Sequence, residues 1–345
     1  MNRANPCRPV VNQLTNRAKP CRPVVNSLMN RANLCRPVAN QRTPYYILYS
    51  MKTNSLKAWL LAARPKTLTA ALIPVATATA MAYADDVMRW QPAVLCALFA
   101  IWMQIAANFI NDLYDFKRGT DTAERLGPKR ACAQGWITPK AMGWGIAVML
   151  VLAGICGCAL LMYGGLWLIG LGLSCVLFAF LYTTLMSYHG LGDLLVWVFF
   201  GFVPVIGTYY VQAGTLTQNV WLLSAACGLC VDTLLVLNNY RDRDTDRVAG
   251  KRTIVVLFGE RFGSLAYLLQ GIAAYICVAF LALDGNLWLA ILPSFYLLPH
   301  YLTWRKMVQI NHGPALNRIL GFTSRNMLTF ALLVVLAYVS DKILV

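Results

Sequence analysis

Apolar runs of about twenty residues recur along the chain from residue 67 to residue 340. A helix needs about that length to cross the hydrocarbon core of a bilayer. No water is present there to satisfy backbone N–H and C=O groups, so such a chain is confined to helix bundles or closed barrels. The runs are continuous rather than alternating, which selects helices. Charged residues make up only 13% of the chain, against roughly 25% for a soluble domain, and the mean hydropathy is +0.55. The expected fold class is an all-α membrane protein. About nine transmembrane helices are expected, at roughly 67–84, 92–110, 142–162, 165–186, 194–212, 220–238, 264–283, 287–304 and 321–340.

The connections alternate in character. Those at 85–91, 163–164, 213–219 and 284–286 are short and nearly free of Lys and Arg, whereas those at 111–141, 239–263 and 305–320 are long and basic. The positive-inside rule puts the N-terminus and the long loops in the cytoplasm and the C-terminus outside, as expected for a multi-pass protein of the inner (plasma) membrane. The formal net charge of +16 follows the same distribution, with eight Lys/Arg and no acid in the first 50 residues. This is a membrane topology, and no nucleic acid is expected as a partner. Eleven cysteines form no disulfide framework; seven lie in apolar segments, where a thiol acts as a small hydrophobe.

Residues 2–43 are three near-copies of one 14-residue unit: NRANPCRPVVNQLT, NRAKPCRPVVNSLM and NRANLCRPVANQRT. The unit has no helical or strand period that would build a stacked core. Residues 1–50 are therefore expected to be a disordered, repeat-derived extension. Met51 opens the functional domain, 51–345.

Two apolar helices run into Asn and then into a burst of carboxylates. The second span ends Asn108-Phe-Ile-Asn111-Asp112-Leu-Tyr-Asp115 and continues to Asp121 and Glu124; the sixth ends Asn238-Asn239-Tyr-Arg241-Asp242-Arg-Asp244-Thr-Asp246. Asn111 and Asp115, and likewise Asp242 and Asp246, are four apart, so one helix face presents each pair. Several carboxylates on one face repel, and a cation must offset them. Oxygen donors without His or Cys suit a hard ion, Mg²⁺, which binds through one or two carboxylates plus substrate phosphates. The expected Mg²⁺ ligands are Asp112, Asp115, Asp121, Asp242 and Asp246. Lys129, Arg130, Arg241 and Lys251 interleave with the acids, and Asn111 and Asn239 add amides; Arg and Lys suit phosphate oxygens. Together they describe a diphosphate site.

A membrane site gripping diphosphate suits a substrate with an isoprenoid tail. Departure of diphosphate leaves an allylic cation, for which Trp102, Phe178, Tyr182, Phe199, Phe200, Tyr209 and Tyr210 are candidate stabilisers. Arg64 and Lys66 open the first span, as ligands of an acceptor carboxylate or phosphate, or as anchors at the membrane surface. Asp193 opens the fifth, either to orient the acceptor or take a proton, or to stabilise a helix N-terminus.

With these pieces in place, the chain resembles the UbiA superfamily of intramembrane aromatic prenyltransferases over roughly residues 55–342, and within it the MenA branch. The segments carrying the resemblance are ARPKTLTAALIPV (63–75), NDLYDFKRGTDTAERLGPKRA (111–131), HGLGD (189–193), FFGFVPVIGTYY (199–210) and NNYRDRDTDRVAGKRTIVVLFG (238–259). The resemblance implies a helical bundle around a central cavity, with a polar cap on the cytoplasmic side. It implies Mg²⁺-dependent transfer from polyprenyl diphosphate to 1,4-dihydroxy-2-naphthoate, with loss of the carboxylate. Asn111, Asp115, Asp242 and Asp246 fall on its two motifs, with Asp115, Asp242, Asp246 and Asp193 as catalytic candidates. Where the superfamily pattern has an Asp four residues after Asp115, this chain has Gly119, and Asp121 follows two residues later. The segment LYTTLMSYHG (181–190) is shorter than its counterpart. Other acceptors, such as 4-hydroxybenzoate or homogentisate, remain as alternatives within the class. A secondary transporter is the alternative outside it; Asp232, inside the sixth span, is the residue that would favour it.

Overall fold

A computed structural model describes residues 52–119, 126–184 and 190–344. The repeat-derived extension, Asp121, Glu124 and His189 lie outside the described residues. Every described element is a helix. Seven are long and apolar enough to cross a membrane: α2 (Pro65–Ala84), α3 (Trp90–Arg118), α4 (Pro139–Gly164), the composite Gly192–Ala213, α8 (Gln218–Val248), α10 (Glu260–Leu281, extended to Asp284 by a 3₁₀ turn) and α13 (Leu316–Leu344).

The remaining two expected spans take other forms. The fourth is α5 (Trp167–Thr184), shorter than the rest. The eighth is two helices, α11 (Trp288–Ser294) and α12 (Leu297–Ile310). Prolines 293 and 299 lack the N–H that a continuous helix would use, and at the break Phe295 and Tyr296 donate instead to the carbonyls of Leu292 and Pro293.

A short helix, α1 (Leu56–Ala63), precedes the first span. Arg64 is both its C-cap and the residue before α2, with φ 52°. Pro65, at the first position of α2, has φ fixed for a helix start. The joint is held from α3: the Asn108 amide donates to the carbonyl of Ala63 at 2.9 Å and to the Thr67 hydroxyl at 3.0 Å.

The composite span has three parts: α6 (Gly192–Val196), a π-helical segment (Trp197–Phe202) and α7 (Val203–Ala213). It crosses α8 closely. A Cβ on Gly201 would lie 2.6 Å from the carbonyl oxygen of Ser224 and 2.8 Å from the Cα of Gly228. Small residues are what permit such approach between membrane helices. A buried polar cluster sits in this packing: Oδ2 of the fully buried Asp232 accepts from Trp197 Nε1 at 3.2 Å and Gln270 Nε2 at 2.6 Å, while Asp232 Oδ1 and Gln270 Oε1 have no hydrogen-bond partner among the described residues. The buried His300 ring fills the space left by Gly271, stacks on Tyr267 and meets the Tyr296 hydroxyl at 3.1 Å and the Leu268 carbonyl at 3.2 Å. A carbonyl only accepts, so Nε2 carries the proton and Nδ1 accepts from Tyr296.

Finally, α9 (Ile254–Phe258) is a single short turn between α8 and α10, N-capped by the Thr253 hydroxyl.

Candidate active site

Both acidic motifs sit on helices that overrun their spans. α3 stays helical through Asn111, Asp112 and Asp115 to Arg118, where Gly119 closes it at φ 67°. α8 continues through Asp242 and Asp246 to Val248. Each motif therefore keeps its four-residue spacing on one face, as the sequence predicts.

The face geometry separates Asp112 from its neighbours. It is buried, and its two oxygens accept the backbone N–H groups of Ala131 and Cys132, each at 2.8 Å. One residue from Asn111 is about 100° around the helix, and there the carboxylate anchors the 126–132 loop.

That anchor delivers Arg130 to Asp115. The guanidinium Nη2 lies 2.5 Å from the carboxylate. Lys129, next to it, is exposed. On α8, Arg241 holds Asp242 through two bonds, Nε at 2.7 Å and Nη2 at 2.5 Å. Lys251 holds Asp246 twice, by its backbone N–H to the carbonyl (2.9 Å) and by Nζ to the carboxylate (3.1 Å). Asn317 of α13 ties the second motif to the loop that carries Arg130: it accepts from Arg241 Nη1 at 2.9 Å and donates to the carbonyl of Leu126 at 2.6 Å. Each lead carboxylate thus stands beside a basic residue. Among the described residues no three Asp, Glu, His or Cys side chains converge into a closed metal cage.

Beneath the motifs lies a cavity of about 370 Å³. Its wall is mostly apolar, with polar members that include Asn111 of α3 and Asn238 of α8. Asn239 is buried and does not line it. Of the aromatic candidates, Phe178, Tyr182, Phe199 and Phe200 line the cavity. Trp102, Tyr209 and Tyr210 do not: Tyr209 donates to Asp85 at the opposite end of α2, and Tyr210 packs on Trp167. Tyr182 shares the cavity wall with Asn111 and Asn238, and a Cβ on Gly192, the residue before Asp193, would lie 3.8 Å from its ring.

Asp193 lies in the first turn of α6, with one carboxylate oxygen buried and without a hydrogen bond among the described residues. Arg64 is half-buried at the α1–α2 joint, and Lys66 is exposed. Asp232 is buried between α8, α10 and the π segment and does not line the cavity. Gln104, Asn108 and Thr67 also line the cavity without having been singled out. Their signal was present: Gln104, Asn108, Asn111 and Asp115 form a polar stripe at helical spacing within an apolar run.

Residues 71–326 match the UbiA prenyltransferase family. The chain is 35% identical over 250 residues to the 1,4-dihydroxy-2-naphthoate octaprenyltransferase of Haemophilus influenzae, covering 69% of this chain and 81% of that protein. It is 37% identical over 215 residues to the Escherichia coli protein of the same name, covering 59% and 69%. Among solved structures, the fold matches the apo UbiA homolog from Aeropyrum pernix K1 (TM-score 0.62, 18% identity, 79% of this chain and 98% of that one). It also matches a UbiA homolog from Archaeoglobus fulgidus bound to DMAPP and Mg²⁺ (TM-score 0.56, 16% identity, 81% and 99%). The chain belongs to the UbiA prenyltransferase family of membrane enzymes.

Proposed function

We propose that this prenyltransferase moves a polyprenyl group from polyprenyl diphosphate to 1,4-dihydroxy-2-naphthoate in a Mg²⁺-dependent reaction. The observation that carries this is a single apolar cavity walled by Asn111 of one acidic motif and Asn238 at the head of the other. An isoprenoid tail fits the apolar wall, and a diphosphate fits the charged end. The names of the bacterial relatives support the acceptor.

The donor set fits Mg²⁺. Asn111, Asp115, Asp242 and Asp246 offer only oxygen, and Mg²⁺ uses one or two carboxylates and completes its shell with water and substrate phosphates. When bound, the ion supplies charge stabilisation for the departing diphosphate. Arg130, Arg241 and Lys251 already lie against these carboxylates, so the same cations are placed to meet phosphate oxygens. In the transfer the C–O bond to diphosphate breaks, a C–C bond forms to the ring carbon bearing the carboxylate, and that carboxylate leaves as CO₂. Asp193, whose neighbour Gly192 packs against the Tyr182 ring, is the group to which we assign orientation of the acceptor. The basic loops support a cytoplasmic orientation for this end, in the inner membrane.

The test is product mass. Liposomes carrying the chain receive Mg²⁺, a polyprenyl diphosphate, and either dihydroxynaphthoate or 4-hydroxybenzoate. A prenylated, decarboxylated naphthoquinol is expected; product from 4-hydroxybenzoate alone would overturn the acceptor assignment.

A further inference from the structure

We propose that the polar ends of α12 and α13 form a binding site for one anionic phospholipid, held by its phosphate at Lys306, Arg318 and Arg325 around the ring of Phe322. The site is separate from the cavity and does not rest on the prenyl-transfer function proposed above.

From Gly285 to Ser340 the chain carries Arg305, Lys306, Arg318 and Arg325 but no Asp or Glu. All four cations are exposed. Among the described residues none of them pairs with a carboxylate, whereas Arg130, Arg241 and Lys251 at the acidic motifs each do. Three of the four are nevertheless gathered at one point. Arg318, Phe322 and Arg325 share a face of α13, with the guanidinium carbons of Arg318 and Arg325 lying 5.6 and 4.8 Å from the centre of the Phe322 ring. Lys306 Nζ reaches the same ring from α12, at 5.2 Å. An aromatic face attracts each cation singly, but it does not cancel the repulsion among three like charges. An anion set among them does. Two guanidinium groups and an ammonium suit the oxygens of a phosphate.

The surroundings make that phosphate a lipid headgroup. One and two turns along α12 from Lys306 stand Leu302 and Leu298; two and three turns along α13 from Arg325 stand Leu332 and Leu336, all exposed. Cations at the polar end with leucines continuing the same two faces fit a headgroup and its acyl chains, whereas a soluble phosphate uses only the cations. Tyr301 and Trp304, with ring centres 5.6 Å apart, come just before Arg305, and such rings sit at headgroup depth. Asn317, next to Arg318, bonds Arg241, so the cluster lies at the same end of the bundle as the acidic motifs. None of the four cations lines the cavity. Basic pockets between membrane helices are a recurrent way of holding anionic headgroups.

The test is lipid retention by the purified chain in neutral detergent, followed by native mass spectrometry during titration with phosphatidylglycerol, phosphatidylcholine or inorganic phosphate. One phosphatidylglycerol per chain is expected to bind about tenfold or more tightly than phosphatidylcholine, and inorganic phosphate at the same concentration is expected not to displace it. Lys306→Gln, Arg318→Gln and Arg325→Gln are each expected to weaken phosphatidylglycerol binding about fivefold. Arg305→Gln removes an exposed cation that stands over no ring among the described residues, and is expected to change binding by less than about twofold. Thermal unfolding checks that each variant folds, and the three ring-facing variants stand in for one another. Equal retention of the two lipids would overturn the site. So would a loss in Arg305→Gln as large as in the other three, which diffuse surface charge would give. Displacement by inorganic phosphate would overturn the lipid assignment in favour of a free-phosphate site.

Discussion

Arg130 reaches back fifteen residues to Asp115 and sets its guanidinium 2.5 Å from the carboxylate. The Arg130 side chain is only 7% exposed and that of Asp115 is 20%. The pair thus stores a cation beside the first motif, at the charged end of the site.

Removing either partner is expected to abolish most turnover. Asp115→Ala should lower kcat by about 100-fold or more, the scale for losing one preorganised electrostatic group. Arg130→Ala should do likewise. Because the two act as a unit, the double variant is expected to lose less than the product of the single losses. Steady-state prenyl transfer on all three variants checks this; full multiplicativity would argue for independent roles.

Asp112→Ala is expected to act on stability rather than on metal affinity. It leaves the N–H groups of Ala131 and Cys132 without their acceptor in a buried site, at a cost of about 1–3 kcal/mol for each. Thermal unfolding should fall accordingly. The Mg²⁺ concentration giving half-maximal rate should stay close to the original in whatever protein remains folded.

Gly201→Ala is expected to destabilise by about 1–3 kcal/mol, the usual range for overpacking. Its new methyl would meet backbone, the Ser224 carbonyl oxygen and Gly228 Cα, which cannot rotate away as a side chain would. Gly143→Ala, with nothing within 4 Å of the new Cβ, serves as the control and should unfold close to the original temperature.

Chelating divalent cations should stop prenyl transfer, and added Mg²⁺ should restore it. Ca²⁺ should restore little, since its longer bonds and looser shell fit a site completed by phosphate less well. Turnover persisting under EDTA would refute the role given to Asp242 and Asp246.

The fold class was legible because lipid leaves a chain so few options: apolar runs of spanning length, continuous rather than alternating, leave only helices. The spacing of Asn111 with Asp115 and Asp242 with Asp246 was legible for a related reason. An apolar helix with no breaker at its end continues into the charged run, and helical period then fixes which residues share a face. Hydropathy did not reveal the break in the eighth span. Its 18-residue run reads as one helix until two prolines six apart, Pro293 and Pro299, are counted against the backbone bonds they remove. Nor could it sort the aromatics, since Phe199 and Tyr210 have equal claims in sequence.

What the sequence by itself determined is periodic or local: a helical membrane bundle, two acidic helix ends, and the interleaved basic residues that suit them. What only the tertiary structure decided depends on neighbours distant in the chain. Asp112 became a loop anchor because Ala131 and Cys132 fold back over it. Asp232 became a strut because Trp197 and Gln270 converge on it from two other helices. Asn317, unremarked in the sequence, joins Arg241 of the second motif to the loop that carries Arg130. Side-chain type sets what a group can bond to, but the packing of separate helices sets which partner is within 3 Å, and that choice assigns the role.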